Sequence, residues 1–122
     1  MLPIPPEKMA EYRAAAKRRH QDKRDRLKVR YQLAQQVAQQ AAEMLKQDFQ
    51  ADRVVLFGSM LSDEFVHERS DIDLVAWGIN PSEYYRAVGR LQGLDSRFAI
   101  DLIEGEAIPP RLVSAIEAGR AL

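Results

Sequence analysis

Residues 53–77 read RVVLFGSMLSDEFVHERSDIDLVAW, and this stretch decides the fold. The run VVLF at residues 54–57 and the run IDLVAW at residues 72–77 are short, apolar and rich in β-branched side chains. Such runs are typical of strands that are buried on both faces. Two acids, Asp71 and Asp73, nevertheless stand at the start of the second run. The stretch therefore predicts two strands with a functional feature built into the second.

The two acids are one residue apart, so on a strand their side chains point to the same face. Carboxylates this close repel each other and are costly unless a positive charge lies between them. A third acid, Asp101, lies in the apolar run FAIDLIE at residues 98–104, where an ion pair with Arg97 or Arg111 is the alternative explanation. Because the ligands are hard oxygens and the chain has no cysteine, the pattern favours magnesium over zinc.

A phosphate site is predicted next to these acids. Gly58 and Ser59 follow the first strand directly, and MLSDEF at residues 60–65 is expected to form a short helical turn whose N–H groups face the strand ends. The glycine lets the backbone approach a ligand closely, and the serine hydroxyl adds a donor. Ser70 is expected to form local hydrogen bonds rather than act as a nucleophile. These parts suit a nucleoside triphosphate.

The long N-terminal region predicts one helix. Three prolines keep the first residues out of it, and no glycine or proline occurs between residue 6 and Phe49. A stripe at steps of three and four predicts the face that packs on the core: Leu27, Tyr31, Ala34, Ala38, Ala41 and Leu45. Residues 1–30 read as a basic extension and residues 31–122 as the folded domain.

The remaining segments complete the fold class. A helix is predicted from Pro81 to about Leu91, a third strand at residues 98–104, and a last helix from Pro109-Pro110 to Glu117. Tyr84 and Tyr85 are expected in the core or partly buried against it, with stacking on a base or a partner as the alternative. The order predicts an α/β or α+β protein with a small mixed sheet of about three to four strands flanked by helices.

Composition sets outer limits on the function. The chain has 122 residues, 46% of them hydrophobic and 30% charged, which is the balance of one globular domain. Residues 1–50 carry 11 Lys and Arg against 6 Asp and Glu, whereas residues 51–122 carry 7 against 12. No apolar stretch is long enough to cross a bilayer and no secretory signal is visible, so we expect a cytoplasmic protein without a membrane partner.

The combination of LFGS with HERSDIDLV resembles the minimal nucleotidyltransferases, the smallest members of the DNA polymerase beta-like superfamily. The shared motif is G-S-x11-D-x-D, from Gly58-Ser59 to Asp71 and Asp73, with Asp101 as the third acid. The resemblance covers about residues 30–122 and implies the nucleotidyltransferase fold.

The resemblance also implies the chemistry. Asp71 and Asp73 would hold two magnesium ions against the triphosphate of ATP, and Asp101 would help to bind the catalytic metal and to activate the acceptor hydroxyl. Gly58, Ser59 and Ser70 would bind the nucleotide. Pyrophosphate would leave, and a nucleotide would remain on the acceptor.

One segment departs from the family pattern. Where relatives continue with a segment like x-A-R-G, this chain reads Met60 to Glu64, MLSDE, and the spacing to the acids is about one residue longer. An arginine near the phosphates is absent from this segment. Asp63 and Glu64 add negative charge that weakens nucleotide binding unless the two side chains turn away.

Free-standing members of this kind are antitoxins that adenylylate a tyrosine of a HEPN-type ribonuclease toxin. By that resemblance the protein is an antitoxin that acts as a magnesium-dependent protein adenylyltransferase, in a possible homo- or hetero-oligomer. One alternative is an antitoxin that neutralises the toxin by binding alone. A second is nucleotidyl transfer to a small molecule or RNA, although the basic helix carries no aromatic platform for stacking, so a nucleic-acid partner is not favoured.

Overall fold

The computed structural model of the protein describes residues 3–122. One sheet of four strands forms its centre: β1 (Arg53–Phe57), β2 (Ile72–Trp77), β3 (Ile100–Glu104) and β4 (Arg120–Ala121). Their spatial order is β3-β2-β1-β4. β1 is antiparallel to β2 and β4, whereas β2 and β3 are parallel because a helix crosses between them. The predicted mixed sheet is confirmed.

Three α-helices surround the sheet: α1 (Pro6–Phe49), α2 (Tyr84–Gln92) and α3 (Val113–Glu117). Short 3-10 helices occur at four places: Gly58–Leu61, Pro81–Glu83, Gly105–Ala107 and Pro110–Leu112. No helix within residues 3–122 combines the length and the apolar character that crossing a membrane requires.

α1 is a single helix of 44 residues, as its sequence predicts. It begins at Pro6 and ends where Gln50 adopts a left-handed conformation with φ 56°. The predicted stripe packs as expected. Ala34, Ala38, Ala41 and Leu45 are buried, and Leu27 and Tyr31 pack partly buried against the core. Before Leu27 almost every residue of α1 is exposed, so this half of the helix extends away from the sheet.

The sheet has two different faces. One face packs against α1 and α2 and contributes Val54, Leu56, Ile72, Leu74, Ile100 and Leu102 to the main core. The opposite face contributes Val55, Phe57 and Val75 to a smaller cluster with Ile116 of α3. Because side chains alternate along a strand, the acids at odd-numbered positions of β2 and β3 belong to this second face.

Local structure differs from the sequence prediction at three places. The helical turn predicted for residues 60–65 is wrong, since a 3-10 helix begins already at Gly58 and extended Ser62 ends it. The predicted helix from Pro81 begins with a 3-10 turn, which the Asn80 side chain caps by accepting a hydrogen bond from the N–H of Ser82. β4 was not foreseen, because two residues carry no periodic signal.

The division into a basic extension and a folded domain stays a prediction. α1 passes through residues 30 and 31 without a break. Arg30 is fixed on the domain, because its guanidinium donates a 2.9 Å hydrogen bond to the carbonyl oxygen of Ser70.

Candidate active site

The acids of β2 and β3 are brought together by strand pairing. Asp73 and Asp101 are direct partners in the parallel register of the two strands. Asp73 is partly buried and Asp101 is exposed. Asp71 stands one residue before the start of β2, on the same side as Asp73. The three acids predicted from the sequence therefore share one end of one sheet face.

The electrostatic environment at this end disfavours the ionised form of Asp73. Burial, followed by the charges of Asp101 and Asp71 and a hydrogen bond with the Asp101 side chain, raises the pKa of Asp73 from 3.8 to about 6. A nearby cation would remove this penalty, and carboxylate oxygens are the ligands that magnesium prefers. The donor set fits a hard divalent cation in its chemistry.

The acids are suitable ligands for a cation by their chemistry, but their positions do not form a ready metal site. Among residues 3–122 no group of three or more His, Cys, Asp or Glu side chains is placed so that it could hold a metal ion. Asp73 and Asp101 are register partners on neighbouring strands, and the charges of Asp101 and Asp71 both raise the pKa of Asp73. A metal site formed by all three acids stays a prediction.

Gly58 lies directly against the carboxylate of Asp73. Its φ is +81°, a conformation that favours glycine, and a Cβ atom at this position would lie 2.6 Å from Oδ2 of Asp73. Phe57, the last residue of β1, is the register partner of Asp73. Ser59 follows in the 3-10 helix and is partly exposed. The Gly-Ser turn therefore lies next to Asp73, and a shared nucleotide site stays a prediction.

Ser70 lies inside the loop that leads to the acids. It is only 1% exposed. Its Oγ accepts a hydrogen bond of 2.8 Å from the N–H of His67, and its own N–H donates to the carbonyl oxygen of His67. The expected local hydrogen bonding is confirmed. A direct contact of Ser70 with a nucleotide stays a prediction.

A cavity of about 350 Å³ adjoins the carboxylate pair. Its walls include Asp73, Asp101, Tyr84, Gln92 and Arg111. Tyr84 and Gln92 also protect the edge of the sheet, because their side chains donate to the carbonyl oxygens of Leu102 and Ile100, each at 2.7 Å. The partly buried position predicted for Tyr84 is confirmed, and Tyr85 is 84% exposed, outside the core.

Sequence reasoning considered Arg111 only as a possible ion-pair partner of Asp101. No such pair occurs in the described part of the chain, where Arg97, the other possible partner, is held by Asp95 at 2.6 Å. The Pro109-Pro110 pair was the available signal, because two prolines fix the backbone directly before Arg111.

The acids that follow the Gly-Ser turn face elsewhere. Asp63 and Glu64 line a separate groove of about 220 Å³, together with Arg24 and Lys28 of α1. They are not among the residues that line the cavity of Asp73. Asp63 and Glu64 therefore face away from the cavity of Asp73, and their effect on nucleotide binding stays a prediction.

This geometry agrees with a comparison against known families. A family described as nucleotidyltransferase domain matches residues 38–121, which is more than half of the 122-residue chain. The chain belongs to this family. The match includes the Gly-Ser turn, all three acids and Arg111, and leaves out the exposed half of α1. No curated protein matches the nucleotidyltransferase at a significant level.

Proposed function

We propose that this nucleotidyltransferase is an antitoxin that transfers AMP from ATP to a tyrosine of a HEPN-type ribonuclease toxin and thereby silences it. The observation that supports the transfer reaction is the close approach of the Gly58 backbone to Asp73, whose register partner on β3 is Asp101. In this proposal the turn at Gly58 binds phosphate and the two acids bind the cation. The protein acceptor and the toxin come from the resemblance to minimal nucleotidyltransferases.

The proposed reaction is an in-line displacement at the α-phosphorus of ATP. The acceptor oxygen forms a bond to this phosphorus, and the bond to the oxygen that bridges the α- and β-phosphates breaks. Pyrophosphate leaves with that oxygen and its electron pair. In this proposal Asp101 accepts the acceptor's proton, and its exposure at the edge of the sheet supports that role.

The other residues position the nucleotide. The N–H groups of the Gly58–Leu61 turn suit phosphate oxygens, and Gly58 leaves space for them beside Asp73. Asp71, Asp73 and Asp101 would hold magnesium, which when bound neutralises the carboxylates and the phosphates. The raised pKa of Asp73 agrees with this role, because the ionised carboxylate group lacks a counter-charge.

Access to the site supports a large acceptor. β3 is an edge strand, and Asp101 lies exposed on it next to the cavity of about 350 Å³. A side chain on another protein can therefore approach over this edge without entering a closed pocket. A basic α1 arm beside an acidic domain offers an additional surface for such a partner.

The test uses the purified protein, labelled ATP, magnesium and the HEPN-type partner. We expect label on the partner, a mass increase of one or more AMP units, and loss of its ribonuclease activity. A partner that is inhibited but carries no label would contradict the transfer reaction.

Neutralisation by binding alone is the second candidate. It is favoured by the lack of a ready metal-holding group among the described residues and by the departure at Met60 to Glu64. The double variant Asp71→Ala, Asp73→Ala separates the two functions. It abolishes protection against the toxin if transfer is required, and it leaves protection intact if binding suffices.

A further inference from the structure

The cavity beside the acids has walls of opposite charge. Asp73 and Asp101 form one part of it, and Arg111 lines another. Arg111 is the one cationic residue among those that line this cavity. A triphosphate is strongly anionic, so a site that already contains two carboxylates needs positive charge on the far side of the phosphates as well as between them and the acids.

Arg111 is available for such a contact. None of the ion pairs within residues 3–122 involves it, and it is exposed. Most other arginines that follow Leu27 already bond to or stack on the protein: Arg30, Arg53, Arg86, Arg90, Arg97 and Arg120. Arg69 also lacks an ion pair among the described residues, but it does not line the cavity.

The backbone around Arg111 is well placed for a binding role. Arg111 lies in the 3-10 helix Pro110–Leu112, and the next residue, Leu112, packs into the cluster of Val55 and Phe57. Two prolines precede it, so the backbone that carries Arg111 has little conformational entropy to lose when the side chain binds a ligand. Asp101 lines the same cavity, yet the two side chains form no ion pair, which leaves room for an anion between them.

We infer that Arg111 binds a phosphate group of the donor nucleotide in this cavity. The inference deepens the proposed function and rests on it for the identity of the donor. A guanidinium group presents a fork of N–H donors that matches two phosphate oxygens, and such charge-assisted bonds are about twice as strong as neutral ones. Arg111 thus binds the phosphates inside the cavity that Asp73 and Asp101 also line.

The test is a binding titration of the whole protein with ATP and magnesium, with pyrophosphate and with adenosine. We expect Arg111→Gln to lower the affinity for ATP and for pyrophosphate by about 10- to 100-fold and to leave the affinity for adenosine unchanged. Arg111→Lys should recover part of the loss, because lysine restores the charge without the fork. The matched control is Arg19→Gln, which removes the same charge from the exposed half of α1 and should bind like the wild type.

The outcomes separate this inference from the proposed function. The inference is wrong if the wild type and Arg111→Gln bind ATP equally well. It is also wrong if Arg111→Gln lowers the affinities for ATP and for adenosine by the same factor. If the wild type binds neither ATP nor pyrophosphate, both ideas fall. If ATP binding depends on Arg111 but no label reaches the partner, the inference stands and the transfer reaction is rejected. Melting curves of each variant establish that it is folded.

Discussion

One face of the sheet is apolar along β1, β2 and β3 and is covered by α1 and α2, whereas the other is covered by the short α3 and carries Asp73 and Asp101 at its exposed end. Neighbouring residues of a single strand therefore serve opposite purposes. On β2, Leu74 is fully buried in the main core, while Asp73 has a raised pKa. Most buried apolar residues lie on the first face, and the proposed chemistry lies on the second.

The largest effect is expected from a substitution on the sheet face that carries the acids, and it should reduce activity without reducing stability. Asp101→Asn should lower the rate of transfer by about 100- to 10,000-fold, because the acceptor hydroxyl loses its base. The melting temperature should stay within a few degrees of the wild type, since Asp101 is exposed. Label incorporation measured beside a melting curve tests this. Equal rates for the variant and the wild type would remove Asp101 from the mechanism.

The covered face should respond in the opposite way. Leu74→Ala should lower the free energy of unfolding by about 2–5 kcal/mol, because it leaves a cavity at a position with 0% exposure. Urea denaturation measures the change. Val113→Ala, at a position that is 40% exposed, is the control and should cost far less. Similar losses for the two variants would contradict the assignment of the core to this face.

Gly58 tests the point where the first strand meets the acids. Gly58→Ala should lower the free energy of unfolding by about 1–3 kcal/mol, because a φ of +81° strains any other residue and a Cβ atom would press on Asp73. It should also reduce transfer. Gly89→Ala is the matched control, because Gly89 lies in α2 with nothing within 4 Å of an added Cβ atom. We expect Gly89→Ala to be neutral or stabilising by about 0.4–1 kcal/mol.

The charge on Asp73 should produce a smaller, pH-dependent difference in the free energy of unfolding between the wild type and Asp73→Asn. Its pKa is higher in the folded protein than the ordinary value of 3.8, so the free energy of unfolding falls as pH rises from about 4 to about 6. Asp73→Asn removes this fall. Without magnesium at pH 8 the variant should be more stable than the wild type by on the order of 1 kcal/mol, since partial exposure screens the charge.

The same difference should disappear near pH 3, where the wild-type carboxyl group is protonated. Asp63→Asn, in the exposed loop, removes the same charge away from the pair and serves as the control. Thermal denaturation at the two pH values measures the effect. A variant that is less stable than the wild type at pH 8 would show that Asp73 is not an unfavourable charge.

The smallest effect concerns a region that packs on neither face. Deletion of residues 1–20 should change the free energy of unfolding by less than about 0.5 kcal/mol, because residues 10–14 and 16–20 are exposed and make no packing contacts with the core. Urea denaturation of the shortened protein tests this. A large loss would mean that the basic half of α1 supports the domain.

Much of this division is written in the sequence. Periodicity predicts the stripe of α1 from Leu27 to Leu45, and the alternation around Asp73 predicts that the two acids share a face. These signals are local, since each depends on residues a few positions apart. The Gly-Ser turn was foreseen for the same reason, because it follows a strand directly.

The rest depends on contacts between distant segments. Arg111 reaches the site only because Pro110–Leu112 packs near Phe57, more than fifty positions away in the sequence. The pairing of Asp73 with Asp101 needs the register of two parallel strands, which no local pattern specifies. The groove that contains Asp63 and Glu64 requires the position of α1. Long-range packing decides these features, so sequence periodicity could not predict them.

The length of α1 affects how the molecule behaves in solution. At 1.5 Å per residue, its 44 residues extend about 66 Å. A compact chain of this size has a radius of gyration of about 14 Å, so α1 is longer than such a compact chain would be across. A monomer with such a rod tumbles slowly and elutes early from a sizing column, as a heavier globular protein does. Light scattering, which reports mass independently of shape, is therefore the measurement that distinguishes an elongated monomer from a dimer.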